Sequence, residues 1–101
     1  MKQEVEIAIV GASGLIGESL LAAIAGHPWL TGHVELLGGE GSLGQPLEFG
    51  RQELIVGELA LFDFNQVKVV ISTGEEQLDK EWLERAHEAG CIVLDIGAQL
   101  L

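Results

Sequence analysis

Three glycines spaced by three, Gly11, Gly14 and Gly17, follow directly on the apolar run Ile7-Ala8-Ile9-Val10 and open a helical pattern. Nothing else in the chain constrains its folding as tightly. A strand that runs straight into a helix must turn within very few residues, and Gly11 permits the turn because it has no Cβ. Gly14 lets a ligand approach the backbone, and Gly17 lets the helix pack close to the sheet. The helix N-terminus offers N–H groups without intrahelical acceptors and a partial positive charge. Such a loop suits an anion, and Ser13 adds a hydroxyl donor. A chain with fourteen glycines can produce this spacing by chance. The strand before it and the amphipathic helix after it are what give the pattern weight.

The remaining sequence keeps alternating short apolar runs with helical patterns. Residues 5–10 read as a strand that ends continuously apolar, as suits a strand covered on both faces. Residues 14–25 read as a helix with Ile16, Leu20, Ala23 and Ile24 on one face, stopped by Gly26 and Pro28. A short strand at 34–37 leads into the loop Gly38-Gly39-Glu40-Gly41-Ser42. Residues 46–49 and 52–56 read as two strands joined by Gly50-Arg51, a pair suited to a two-residue type II′ turn. A buried strand is expected at 67–71, then a helix at 79–89 capped by Asp79, with Leu78, Trp82, Ala86 and Ala89 inward. Gly90 ends that helix, and a last strand begins at Cys91. With right-handed crossovers this order gives an α/β fold of the Rossmann type. It is a doubly wound, mainly parallel sheet with an added antiparallel hairpin, and residues 1–101 read as one such domain.

Charge narrows the ligand. Sixteen acids against five bases give a net charge of −11, which disfavours nucleic acid and anionic membranes as partners. Apolar runs reach only about half a dozen residues, against the ~20 of a membrane span. The 48% hydrophobic content points to a folded globular chain. Met1-Lys2-Gln3-Glu4 has no apolar segment of a secretory signal, and a single cysteine suits a reducing compartment, so a cytoplasmic protein is expected. Between Lys2 and Arg51 there is no Lys or Arg, so an anion at the glycine loop is held by backbone amides. The expected ligand is a small-molecule dinucleotide. An acid after the second strand would bind a ribose 2′-OH, whereas an Arg would accept a 2′-phosphate. Here the loop carries Glu40 and no base, which favours NAD over NADP. The missing charge-assisted hydrogen bond is worth ~1.5–3 kcal/mol, roughly ten- to hundredfold in affinity. A solvated loop acid is the other reading of Glu40.

Residues 7–21 (IAIVGASGLIGESLL), the short strand ending in Leu36-Leu37, the stretch 39–49 (GEGSLGQPLEF) and residues 81–100 (EWLERAHEAGCIVLDIGAQL) together resemble the N-terminal half of aspartate-semialdehyde dehydrogenases. Phe62-Asp63-Phe64 and Gly90-Cys91 add a likeness to the Usg-like paralogues of that family. The resemblance runs from about residue 5 to residue 98 with its blocks in order. It implies reduction of an aspartyl phosphate to the semialdehyde with NADPH, through a thioester on a cysteine, and a possible homodimer for the full-length protein. Carried over, Gly11, Ser13, Gly14, Leu15 and Ile16 would line the pyrophosphate, with Gly17 behind them. Gly39, Glu40, Gly41 and Ser42 would face the adenosine ribose, and Ser72, Thr73 and Gly74 would lie towards the nicotinamide. Two departures stand out. The family's ribose loop commonly reads Ser-Glu-Arg-Ser, and its arginine is replaced here by Gly41. The family's catalytic cysteine, and the histidine and arginines that serve it, would fall beyond Leu101. Two readings remain open. One is the cofactor domain of an oxidoreductase acting on an aldehyde or acyl-phosphate group, not catalytic alone. The other is a paralogue domain whose nucleotide site has degenerated into a binding or structural module. An epimerase-like enzyme would need a Tyr-x-x-x-Lys pair, and the chain has no tyrosine.

Other reactive residues have plainer explanations. Cys91 opens a buried strand with nothing local to depress its pKa, so it reads as core. His27, His33 and His87 have no metal-ligand spacing. His87 and Glu75-Glu76 read as solvated, Trp82 as core, and Asp95 as a loop cap at the strand edge. If later elements cover the last strand in a longer protein, residues 92–101 expose apolar surface here and favour self-association.

Overall fold

The apolar run after Glu6 forms β1 (Ile7–Val10), and all four of its residues are buried, the outcome expected of a strand with both faces covered. A computed structural model describes residues 6–25, 34–74 and 81–96. Around β1 the chain builds α1 (Leu15–Ala25), β2 (Val34–Gly38), the hairpin strands β3 (Pro46–Phe49) and β4 (Gln52–Ile55), β5 (Gly57–Glu58), β6 (Val69–Ser72), α2 (Glu81–Glu88) and β7 (Ile92–Asp95). Five strands form one sheet in the order β5-β2-β1-β6-β7, and every pairing in it is parallel. The hairpin stands apart as a two-stranded antiparallel sheet. This is the doubly wound, mainly parallel architecture with an appended hairpin that the alternation implies.

The sheet separates two apolar clusters. Ile7, Ile9, Leu36 and Ile71 pack with Leu21 and Ile24 of α1 and with Leu47 beneath the hairpin. Ala8, Val10, Leu37 and Val70 pack on the opposite face with Trp82 and Ala86 of α2, and with Leu59, Phe64, Val67 and Cys91. Alternation along β1 assigns its side chains to the two faces in turn. The edge strand is less completely covered. Ile92 and Leu94, registered beside Val69 and Ile71, are 61% and 47% exposed.

Local chemistry sets the element ends. Gly50 has φ 63° and Arg51 has no positive φ, and Phe49 pairs with Gln52. One positive φ at the first turn residue fits type II′ and excludes type I′. Beyond α2, the Gly90 N–H donates to the His87 carbonyl and the Cys91 N–H to the Ala86 carbonyl, each at 3.0 Å, a Schellman ending that leads straight into β7.

The sequence expectation for α1 needs correction. Its buried residues are Gly17, Leu21 and Ile24, whereas Ile16 and Leu20 are half-buried and Ala23 is exposed. Gly17 presses on the backbone of Ala12, where a Cβ would overlap the Ala12 carbonyl. Ile24 is buried as expected and Leu20 packs against the same cluster, so the inward stripe is widened towards Gly17 and Leu21 rather than replaced. The connection before β6 also holds more than expected, with two 3-10 turns at Leu59–Leu61 and Phe64–Gln66. Leu78, Asp79 and residues 26–33, where the cap and stop signals were expected, lie outside the described residues.

Candidate dinucleotide site

Strand order reverses between β1 and β6. From β1 the chain moves one way to β2 and β5, then returns across β1 to β6 and continues to β7. In open α/β sheets the crevice beyond the carboxyl ends of the strands at such a reversal is where ligands bind. The ends of β1 and β6 carry Gly11 and the run Ser72-Thr73-Gly74 respectively, and β2 delivers the loop 39–42 to the same edge.

Gly11 leaves β1 with φ 81°, a conformation open to glycine and strained for other residues. Its N–H donates to the Leu37 carbonyl of β2 at 3.0 Å. Ser13 and Gly14 are half-buried, whereas Leu15 is 80% exposed. Half-buried Ile16 completes the entry to α1, and the Glu18 N–H donates to the Gly14 carbonyl at 2.9 Å. The first-turn amides thus gather at the mouth of the crevice, where a helix can offer N–H groups and partial positive charge to an anion.

The second loop is closed by its own bonds. The N–H groups of Ser42 and Leu43 both donate to the Gly39 carbonyl at 3.1 Å, and the Ser42 hydroxyl donates to the same oxygen at 3.4 Å. Ser42 is therefore 5% exposed and turned inward, while Glu40 and Gly41 face solvent. A Cβ on Gly41 would meet nothing within 4 Å. Glycine at this position is thus not demanded by space.

Across the crevice Ser72 ends β6 half-buried and Gly74 is exposed. Thr73 is 1% exposed. Its N–H donates to the Val10 carbonyl at 3.1 Å, and its hydroxyl reaches the Gly11 carbonyl at 2.6 Å. The geometry therefore brings the expected residues to one edge, but Ser42 and Thr73 turn their side chains into the protein. Sequence gave no local sign of Thr73's place, because the contact spans 62 positions.

Of the groups read as core or surface, Trp82 and Cys91 are buried and His87 is exposed, while Glu75-Glu76 lie outside the described residues. Cys91 is buried with its Sγ 3.2 Å from the Phe64 carbonyl and 3.3 Å from that of Val67, and burial pushes its thiol up from the ordinary 9.0. That is the opposite of an activated nucleophile. His87 and Asp95 are exposed. Among the described residues no three His, Cys, Asp or Glu side chains are grouped to hold a metal ion, and no helix is long and apolar enough to cross a membrane. Arg85 has a structural task. Its guanidinium donates to the Leu59 and Phe62 carbonyls at 2.8 and 3.0 Å and lies 5.3 Å from the centroid of the Phe64 ring, tying α2 to the connection before β6.

A parallel sheet that reverses beside a glycine loop and a helix N-terminus defines a nucleotide-binding domain of the Rossmann type. More narrowly, the chain belongs to the family described as semialdehyde dehydrogenase, NAD binding domain, whose model matches residues 6–100. It is 32% identical over 100 residues to the USG-1 protein homolog of Pseudomonas aeruginosa, covering 99% of this chain and 30% of that protein. It is 34% identical over 95 residues to the aspartate-semialdehyde dehydrogenase of Legionella pneumophila, covering 94% of this chain and 27% of that enzyme. A solved structure of a probable aspartate-semialdehyde dehydrogenase from Pseudomonas aeruginosa superposes with a TM-score of 0.85 at 31% identity, over 98% of this chain and 30% of that one. The chain thus spans under a third of the length of these relatives.

Proposed function

We propose that this chain is the cofactor-holding domain, residues 1–101, of an oxidoreductase acting on an aldehyde or acyl-phosphate group, with the groups that attack the substrate supplied from elsewhere. The observation that carries the reading is the loop 11–17 at the strand-order reversal, backed by the N-terminus of α1. Gly11, Ser13, Gly14, Leu15 and Ile16 bind the pyrophosphate through backbone amides and the Ser13 hydroxyl, with Gly17 holding the helix against them. Gly39, Glu40, Gly41 and Ser42 border the adenosine ribose, and Ser72, Thr73 and Gly74 border the nicotinamide side. The dinucleotide, when bound, supplies the hydride chemistry. This chain's residues position it and keep its phosphates at the helix N-terminus. Glu40 beside the ribose and a glycine at 41 favour NAD over NADP. We place the protein in the cytoplasm, as a homodimer in its full-length form.

Titration of the isotope-labelled chain with NAD and with NADP, followed through its amide resonances, tests this reading. Shifts concentrated at 11–17 and 38–42, with NAD the tighter ligand, are expected. No shift with either ligand at millimolar concentration would overturn it. The replacement of a family arginine by Gly41 would then favour a domain that keeps the fold as a binding or structural module.

A further inference from the structure

Thr73 is buried at the point where the strand order reverses, and its hydroxyl is aimed at the glycine loop rather than at the crevice. A threonine hydroxyl has a single proton to donate. Its oxygen lies 2.6 Å from the Gly11 carbonyl and 3.5 Å from that of Val10, so the proton belongs with Gly11. Gly11 is then held from both sides of the reversal. Its N–H is bonded to Leu37 on β2 and its carbonyl to Thr73 beyond β6. The peptide that joins Gly11 to Ala12 is trans, since no cis bond is present. In a planar trans peptide the C=O and the following N–H point in opposite directions. A carbonyl drawn down to Thr73 therefore turns the Ala12 N–H away from the sheet, and the loop leaves Gly11 along a set direction. One residue on, the seating of Gly17 against Ala12 fixes the other end of the turn.

We propose that Thr73 is a positioning residue, whose hydroxyl holds the Gly11 carbonyl and so orients the amide-bearing face of the glycine loop for the pyrophosphate of a dinucleotide. The proposal rests on the cofactor-site reading above, yet its structural core can be tested without any ligand. Thr73→Val keeps the branched shape and removes the hydroxyl, whereas Thr73→Ser keeps the hydroxyl and removes the methyl. If the hydrogen bond is what matters, Thr73→Val moves the Gly11 carbonyl carbon resonance and speeds amide exchange through the loop, while Thr73→Ser leaves both near wild type. Dinucleotide affinity follows the same order, with Thr73→Val about tenfold weaker and Thr73→Ser within about twofold of wild type. A side chain that merely fills space gives the reverse order, with Ser the damaged variant, and that result overturns the proposal. So does a folded Thr73→Val with unchanged carbonyl resonance, exchange and affinity. If wild type binds neither dinucleotide, the cofactor-site reading fails and the part of the proposal concerning the pyrophosphate fails with it. The resonance and exchange comparison would still decide whether Thr73 sets the loop.

Discussion

The loops 11–17 and 39–42 lie at the same edge of the sheet, yet they take their shapes from different sources. The first is held by the rest of the fold. Gly11 is bonded to β2 and to Thr73 beyond β6, and Gly17 is seated on Ala12. The second carries bonds of its own, with two backbone N–H groups and one hydroxyl turned to the Gly39 carbonyl, and its downstream end is tied to Val56 through Gly44 and Gln45. The contrast separates what a site requires from what it can vary. A loop braced by distant strands cannot change residue type without disturbing them, whereas Glu40 and Gly41, exposed on the second loop, can be exchanged. On the proposed cofactor reading, the loop offered to the pyrophosphate is the one braced by the strands, and the loop offered to the ribose is the one with exposed, exchangeable members.

Gly17→Ala puts this contrast to its severest test. A methyl group there overlaps the Ala12 backbone, and neither the helix axis nor the loop can yield without loosening the packing of Leu21 and Ile24. A loss of about 1–3 kcal/mol is expected by analogy with overpacked cores, together with loss of dinucleotide binding. Gly41→Ala, which adds the same methyl group where nothing lies within 4 Å, should stay within about 0.5 kcal/mol of wild type. Denaturant unfolding of the two variants side by side checks both figures. Equal effects would erase the distinction between the loops.

Gly41→Arg sharpens the comparison through ligand choice. The position is exposed and open, so the guanidinium reaches solvent without strain and adds the cation that a 2′-phosphate needs. The ratio of NADP to NAD affinity should rise roughly ten- to hundredfold, the worth of one charge-assisted hydrogen bond, with the melting temperature unchanged. An unaltered ratio would mean that this loop does not face the ribose. A smaller effect is expected from Ser42→Ala. The hydroxyl bond it removes is long, at 3.4 Å, while the two backbone bonds to Gly39 remain. A loss of about 1 kcal/mol or less, with amide shifts confined to 39–44, is the expected outcome. Shifts that spread to 11–17 would show the two loops to be coupled.

The same contrast decides how much could be read from sequence. Short-range signals carried well. The glycine spacing, the Gly50-Arg51 turn and the Gly90 stop each act within a few residues, and each appears in the structure where periodicity put it. Long-range contacts did not carry. The apolar pattern of α1 favours Ile16, Leu20, Ala23 and Ile24 as inward residues; Ile24 is buried, but Gly17, seated on Ala12, and Leu21 take the other inward places. β5, two residues long, is too short to show a period. The first 3-10 turn before β6 depends on Arg85, more than twenty positions away, for the hydrogen bonds that tie it to α2. Thr73, expected beside the cofactor, gave no sign in sequence of its bond to the Gly11 carbonyl, which appears only when β6 is laid beside β1. The residues that share the candidate site's edge of the sheet were legible as a set, but which of them turn into the protein depended on contacts between strands.

Cys91 supplies the mildest test, because it lies on the α2 side of the sheet, in the cluster with Val10 and Leu37 rather than in either loop. Desolvation raises its pKa above 9.0 in the folded chain, so the protonated thiol is the form that the fold favours. Well below pH 9.0 both folded and unfolded chains keep that proton, and the contribution to stability is fully present. Above it the unfolded thiol ionises while the buried one does not, so unfolding releases a proton and stability falls as pH rises towards the folded value. With no tyrosine in the chain, this alkaline loss is free of phenol titration. Cys91→Ala should remove that slope between pH 9 and 10, measured by urea unfolding, at the cost of a small cavity. The amide resonances of 11–17 and 39–42 should hold their wild-type positions in this variant. Movement in the glycine loop alone would show that its bracing extends through β1 to the far face of the sheet, and movement in 39–42 alone would show that the second loop senses that face instead.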